Sequence, residues 1–508
     1  MDRRKFLRHL GLLTGAGTVS MTLGDIPLKA FARPLFNATA ADGKVIVLVQ
    51  LGGGNDGLNT VVPYQDSNYH NARPSIRIRE NDVLRLSNSI GLHPSLDPFK
   101  SLYDEGQLAV VQNVGYPNPN RSHFRSTDIW LSASDSNEYI EDGWVGRFLA
   151  KAFPEPETYN TSHPMAIQIG ASQSMLLQCT CQGQMGISFE DPNQFYQLIN
   201  GSTADNDPPP NTIAGEQLRY VKQIAAQSIQ YAQVIKDVAD TVENKVQYPN
   251  SSLGRQLAIV AELIAGGLET PVYLTSVGGF DTHSNQSGSH ANLLQNLANS
   301  VSAFMQDLKL LGVADRVVVM TFSEFGRRVE QNGSAGTDHG TAAPLFVIGQ
   351  NVKSGIVGNN PNLEDLDNNG DLKYEFDFRQ VYATLLQDQL GMSADKMGEV
   401  LFGNFETLPL ISVKHAASGG PVSFTLQQNY PNPFNPETKI NYSIRIPQFI
   451  RLVVYDPTGA EVVTLDQGWK DAGNYTATFG DGRYPSGVYY CRLISGSYKQ
   501  TIKMILIK

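Results

Sequence analysis

Up to about residue 412, unbroken apolar runs alternate with stretches whose apolar residues recur every three or four positions. Lys44–Leu51 (KVIVLVQL), Leu108–Val114, Pro271–Ser276, Val317–Phe322 and Pro344–Ile348 contain few polar residues and read as strands buried on both faces. Between them, Leu218, Val221, Ala225, Ile229, Ala232 and Ile235 carry helical spacing across roughly 213–245. Leu253–Ala265 reads as a second helix, and Leu294, Leu297, Val301, Phe304 and Leu308 mark one face of a third. Alternating helices and buried strands predict an α/β fold with a doubly wound, mostly parallel sheet.

The pattern changes beyond residue 412. Lys414–Pro421 is a short Ala/Ser/Gly stretch, followed by short strands at Lys439–Arg445, Ile450–Tyr455, Glu461–Leu465, Tyr475–Phe479, Gly487–Ser495 and Lys499–Ile507. Turn signals such as Asp456-Pro457-Thr458-Gly459 separate them, as in a small β-sandwich. The expected organisation is a signal peptide over 1–40, an α/β domain over 43–412, a linker over 413–422 and a terminal domain over 423–508.

At the N-terminus, Arg3-Arg4-Lys5-Phe6-Leu7-Arg8 precedes a mildly apolar stretch, Leu10–Leu23, as in an export signal. It resembles a twin-arginine (Tat) signal, departing from it at Asp2. That resemblance implies the Tat translocase as a partner, with cleavage at Ala30-Phe31-Ala32 or Ala38-Thr39-Ala40. No other stretch approaches 18 apolar residues, so no transmembrane helix is expected in the mature chain. A net charge of −10 and a pI near 5.4 exclude a nucleic-acid binder, which needs a basic footprint. The three cysteines form no zinc-knuckle spacing and no disulfide framework. Cys179 and Cys181 are expected as free thiols, being too close for an easy bridge.

Candidate chemistry gathers after the strands. Ligands in an open α/β sheet bind beyond the carboxyl ends of its strands. Four segments place polar groups there: Asn55-Asp56 after Gly52-Gly53-Gly54, Ser122-His123, Asp281 with His283, and Glu324 with Asp338-His339. Carboxylates and imidazoles are the donors that hold zinc and other divalent ions. Each residue also has a plainer role: Asp56 as a turn or N-cap residue, the histidines as hydrogen-bonding groups, Ser122 as a loop serine. Arg121, Arg125, Arg327 and Arg379 are candidates to clamp an anion, or to form solvated ion pairs. Asp365–Gly370 looks like half a calcium loop, but the twelfth position is Phe376 rather than Glu.

Two resemblances sharpen this reading. The motifs Gln428–Pro436 (QNYPNPFNP), Tyr455–Gly459, Pro485–Tyr490 and Lys503–Lys508 closely resemble the type A sorting domain of the type IX secretion system. That implies the type IX machinery as a partner, and passage through the periplasm to the outer-membrane surface or the medium. The segments LVQLGGGNDGLNTVVPY (48–64), NRSHFRSTDIW (120–130), GGFDTHSNQ (278–286), SEFGRRVEQNGSAGTDHGTAAPLFVIG (323–349) and DFRQVYATLL (377–386) resemble the uncharacterised family known as domain of unknown function 1501. That family looks like a branch of the alkaline phosphatase/sulfatase superfamily, whose members hold two metals beside a Ser or Thr nucleophile. Carried over, the resemblance implies Asp56 as the first-strand metal ligand, with Asn55 as the alternative. It implies Asp281 and His283 as the pair on one ion, Glu324 in place of an Asp, and His339, beside Asp338, as the late ligand. Ser122 becomes the nucleophile candidate, and His123 a neighbouring base or ligand. The sulfatase motif C-x-P-x-R is absent, which argues against a formylglycine enzyme.

The function expected is a metal-dependent hydrolase of phosphate or related esters at the cell surface. Zinc is the first choice of ion, with manganese, iron, calcium or magnesium as alternatives. The substrate is an anionic ester or glycan, approached by Arg121, Arg327 and Asn55. The competing expectation is a non-catalytic surface protein that keeps the fold for binding or envelope assembly.

Overall fold

The computed structural model describes residues 20–23, 26–29, 43–152, 163–181, 183–199, 228–229, 231–412, 425–444, 448–470, 473–495 and 498–508. The twin-arginine motif and both expected cleavage sites lie outside the described residues. The chain divides into two compact units, Met1–Ser412 and Val413–Lys508.

The first unit is built on a nine-stranded sheet. Its strands are β1 (Val45–Leu51), β2 (Leu108–Gly115), β3 (Ala166–Ile169), β4 (Ile187–Phe189), β5 (Val272–Val277), β6 (Val317–Phe322), β7 (Ala343–Ile348), β8 (Gly355–Val357) and β9 (Phe376–Asp377). The order is β4-β3-β5-β1-β6-β7-β2-β8, with β9 also paired to β2. All neighbouring pairs are parallel except those made by β7, which runs antiparallel to both β6 and β2. The mostly parallel α/β sheet expected from the sequence is therefore present.

β1 lies at the centre, with Val47 between Tyr273 of β5 and Val319 of β6. Its side chains alternate between two cores, as the pleat requires. Val45, Val47, Val49 and Leu51 join a core with the helices Ser252–Ala265 and Gln286–Leu310, while Ile46 and Leu48 face Trp130, Trp144, Phe378 and Tyr382 on the other side. Burial on both faces explains why β1 reads as a continuous apolar run.

The antiparallel β7 matters for the site. The chain leaves the carboxyl end of β6 at Phe322 and returns into β7 at Ala343. The loop between them therefore stays at the sheet edge where β1, β2 and β5 also end. A crossover helix would have carried it away.

Two expectations need correction. The helix expected over 213–245 ends at residue 239, its residues 213–227 lying outside the described residues. The following segment is drawn off by buried Asp307, which accepts from Lys245 N (2.7 Å), Asn244 Nδ2 (2.9 Å) and Tyr248 Oη (3.0 Å). Cys179 and Cys181 are bonded to each other, with Cα atoms 5.2 Å apart. That separation is within the range a bridge needs, because the tight turn after Gln178–Cys179 folds the chain back.

In the second unit, Thr425–Leu426, Thr438–Ile444 and Gly473–Phe479 form one antiparallel sheet, and Gln448–Tyr455, Glu461–Lys470, Gly487–Ser495 and Tyr498–Leu506 a second. Ile440, Tyr442, Leu452, Val454, Leu493 and Met504 share a single core, which makes the pair a sandwich. Cys491 is buried within it as a free thiol.

The cysteine pairing is checked by alkylation. Denatured protein without reductant should take up one carbamidomethyl group, on Cys491, and three after reduction. Three before reduction would show the bond is not formed.

Candidate metal centre

Four strand ends deliver the site. After β1, Gly53 and Gly54 adopt φ of +120° and +79°, which L side chains rarely take. A Cβ on Gly54 would also meet the Phe325 ring at 2.4 Å. The tight turn lets backbone groups of this loop approach the side chains that follow β6. Gly53 N–H donates to Glu324 Oε1 (2.8 Å), and Arg327 Nε donates to the Gly54 carbonyl (2.7 Å).

Asp281 Oδ1 is the point of convergence. His283 Nε2 lies 3.0 Å from it, His339 Nε2 3.2 Å and His123 Nε2 3.5 Å. His283 Nε2 and His339 Nε2 are 2.9 Å apart. Among the described residues, His123, Asp281 and His339 form the group whose ligand atoms all lie within 4.8 Å of one another. His283 joins through Asp281 and His339.

Each imidazole is held from behind. His123 Nδ1 lies 2.8 Å from Glu324 Oε1, His283 Nδ1 3.0 Å from Asp338 Oδ1, and His339 Nδ1 2.8 Å from the Arg121 carbonyl. These oxygens accept, so each ring carries a proton on Nδ1 and turns Nε2 inward, where it can donate to Asp281 or present its lone pair to a cation. Phe325 fixes ring orientation, its centroid 4.9 Å from that of His123 and 4.6 Å from that of His339.

The electrostatics suit ionised carboxylates. Burial opposes ionisation of Asp281, but hydrogen bonds from Arg327 and His339 and the Arg327 charge bring its pKa down to about 2. Hydrogen bonds from Asn332 and His283 lower that of Asp338. Beside the cluster opens a cleft of about 380 Å³ lined by Arg121, His283, Arg328, Asp338, His339 and Asn369.

The donor set fits a divalent ion. Donors bound at about 2.0–2.1 Å around a tetrahedral ion stand roughly 3.3 Å apart. The spacings of 2.9–3.2 Å among Asp281, His283 and His339 are close to that. Two imidazole nitrogens this close, beside a carboxylate oxygen, need a proton or a cation between them. Arg327 supplies some positive charge already, with Nη2 at 2.6 Å from Asp281 Oδ1 and Nη1 at 3.4 Å from His283 Nε2.

The remaining residues singled out by sequence lie around this cluster rather than in it. Asp56 is fully buried; Arg73 Nη1 lies 2.6 Å from its Oδ2, Gln286 donates to the same oxygen, and Asn59 N–H donates to Oδ1 (3.4 Å). Its carboxylate is thus committed to an ion pair and an N-cap and does not join the histidines. Glu324 and Asp338 stand behind histidines. Asn55 is buried, its Oδ1 taken by Thr60 Oγ1 (3.1 Å) and His290 Nε2 (3.0 Å), so it does not face the cleft. The Arg327 side chain is also fully buried and bound to carbonyls of Gly53, Gly54, Phe280 and Thr337. It is not free to clamp a substrate. Ser122, exposed, caps the helix His123–Ser132, and its Oγ makes no hydrogen bond among the described residues. Arg121 does line the cleft. Sequence reasoning missed Arg328 beside it. Both arginines pair with Asp371, and Arg121 also with Asp367 (3.5 Å), so the acidic stretch around residues 365–371 anchors cations of the protein itself.

Residues 218–401 match the family described as "Protein of unknown function (DUF1501)", and residues 428–508 match the secretion system C-terminal sorting domain. The sorting domain marks the chain for the type IX machinery and for export to the cell surface or secretion. Solved structures similar to this chain include one from Bacteroides thetaiotaomicron described under the metabolism of multiple glycosaminoglycans (11% identity, 84% of this chain and 89% of that one, TM-score 0.36). The PsFucS1 sulfatase from Pseudoalteromonas sp. gives 11% identity, 89% of each chain and a TM-score of 0.34. A protein in the alkaline phosphatase superfamily from Vibrio parahaemolyticus gives 10%, 84% and 82%, and 0.33. No curated protein matches the chain. Among the described residues no helix is long and apolar enough to cross a membrane.

The buried Asp56–Arg73 pair carries a prediction. Burial alone would raise the Asp56 pKa; the Arg73 charge and hydrogen bond hold it below the usual value. Its stabilising contribution is therefore complete above about pH 4 and is lost as pH falls through the depressed folded pKa. Asp56→Asn should cost roughly 3–5 kcal/mol at pH 7, since it leaves Arg73 buried without its partner. In urea denaturation the gap between wild type and variant should narrow below pH 4. A gap independent of pH would contradict the pairing.

Proposed function

We propose that the chain is an exported, metal-dependent hydrolase of phosphate or related esters. The supporting observation is the convergence of three imidazole Nε2 atoms on Asp281 Oδ1, each ring fixed through Nδ1. His123, His283, His339 and Asp281 would hold the ion. Nitrogen-rich donor sets favour zinc, with manganese or iron next and the hard ions calcium and magnesium last. When bound, such an ion supplies Lewis acidity at an ester oxygen.

The chain's own groups do the rest. Glu324, Asp338 and the Arg121 carbonyl keep the three rings in the tautomer that presents Nε2. Arg121 and Arg328 face the cleft with fixed positive charge and favour an anionic group there. The substrate class is an anionic ester, carried on a glycan, lipid or nucleotide. Among the described residues no base lies in hydrogen-bond contact with Ser122 Oγ, and His123 turns its Nδ1 to Glu324. Attack by water is therefore favoured over attack by Ser122. Residues 1–40 would act as the Tat signal, through the Tat translocase, before the sorting domain takes over.

A second reading is supported by Arg327. Its guanidinium already neutralises Asp281, so the cluster can be satisfied without an ion. The protein would then be a non-catalytic surface binder or a component of envelope assembly.

Elemental analysis of the purified chain beside His339→Ala separates the two. The hydrolase reading expects close to one equivalent of zinc, manganese or iron, falling at least tenfold in the variant. Ester hydrolysis should fall with it, and Ser122→Ala should change that rate by less than about threefold. No metal in either protein, with no shift in melting temperature on adding ions, would overturn it in favour of the binding reading.

A further inference from the structure

Gln286 is fully buried and opens the long helix Gln286–Leu310. Its side chain ties together the two loops that carry most of the candidate ligands. Oε1 accepts from Thr282 Oγ1 (3.1 Å) and from Thr337 Oγ1 (2.6 Å), and Nε2 donates to Asp56 Oδ2. The amide orientation is fixed by these partners, since a carboxylate only accepts and each hydroxyl here donates. Thr282 lies between Asp281 and His283 in sequence; Thr337 is next to Asp338 and two residues before His339.

The two loops also meet through their backbones. Thr337 N–H donates to the Thr282 carbonyl (3.2 Å), and Asn332 Nδ2 donates to the His283 carbonyl (2.9 Å). At Gly336 a Cβ would stand 2.2 Å from the carbonyl carbon of His283, so the loops touch where only glycine fits. The side chains of Thr282, Thr337, Gln286 and Asp56 are all buried behind this contact.

We propose that Gln286 is a positioning residue for the metal centre, setting the separation of the Asp281–His283 and Asp338–His339 segments, with Asp56 and Arg73 as its anchor. This rests on the metal-centre reading given above. The spacings of His339 from His283 (2.9 Å) and from Asp281 (3.2 Å) depend on the two loops keeping their distance. Removing the shared acceptor leaves two buried hydroxyls without a partner and lets the loops part. Groups that orient metal ligands from behind typically change affinity by about 10–100-fold when lost. The same geometry gives Asp56 a part in the site one hydrogen bond further out than Gln286.

The test is cobalt(II) titration of the metal-free full chain, followed by visible absorption, for wild type, Gln286→Met and Thr337→Val. Cobalt reports coordination geometry as well as affinity. Wild type should show saturable bands, with binding in Gln286→Met about 10–100-fold weaker and the bands altered even at saturation. A site that is only less stable overall would regain the wild-type bands at saturation, and that outcome would overturn the proposal. So would equal affinity in wild type and Gln286→Met, leaving the metal-centre reading intact. Absence of cobalt binding in wild type would overturn both. If Gln286→Met does not fold, Thr337→Val decides: weakened binding with altered bands supports the proposal, and wild-type behaviour refutes it.

Discussion

A guanidinium with no exposed surface must find acceptors for its N–H groups, because a buried charge without partners is too costly to keep. Arg327 finds them on three different loops: the Gly53 and Gly54 carbonyls after β1, the Phe280 carbonyl and Asp281 carboxylate after β5, and the Thr337 carbonyl before β7. Two of those loops carry Asp281, His283, Asp338 and His339 of the candidate site, while His123 comes from the segment after β2. The sheet brings the strand ends to one edge, and Arg327 then fixes how the loops beyond them meet. With positive φ at Gly53 and Gly54, both carbonyls reach this one side chain. Asp281 is held ionised by the same cation, which readies it for the imidazoles around it.

Around that anchor the polar groups fall into a clear division of labour. Imidazole Nε2 atoms face Asp281, and the carboxylates Glu324 and Asp338 stand behind two of the rings. Asp56 stands further back again, against Arg73 and Gln286. Asp367 and Asp371 hold Arg121 and Arg328 at the cleft rather than a calcium ion. Most of the acidic residues near the site thus direct other side chains. This arrangement explains how so many charges fit together: almost every one has a partner of opposite sign or a set of fixed hydrogen bonds.

Much of the fold was legible because buried strands leave a strong signal. β1 and β6 are runs of Val, Ile and Leu or Met with the cores on both faces, and the sequence placed them within a residue or two. The antiparallel course of β7 was not visible, since strand direction depends on a loop path that periodicity does not encode. At the site, strand-end position alone pointed to Asp281, His283, Glu324 and His339, all of which the structure brings together. It could not rank them, because Glu324 as a ligand and Glu324 behind His123 look identical in sequence. Nor could it show that Asp56 faces Arg73, a partner seventeen residues on whose role depends on the turn between them. Gln286 carried one faint signal, a polar residue at the head of a helix in the segment GGFDTHSNQ. The Cys179–Cys181 bond was missed because it depends on a local hairpin whose geometry the spacing does not reveal.

The central claim is that three histidines and Asp281 surround one divalent ion. X-ray absorption at the metal edge of the purified chain tests it most directly. The account expects a first shell of nitrogen and oxygen at about 2.0–2.1 Å, with the outer-shell scattering of at least two imidazole rings and no sulfur. A shell without imidazole scattering, or one containing sulfur at about 2.3 Å, would place the ion elsewhere and contradict it.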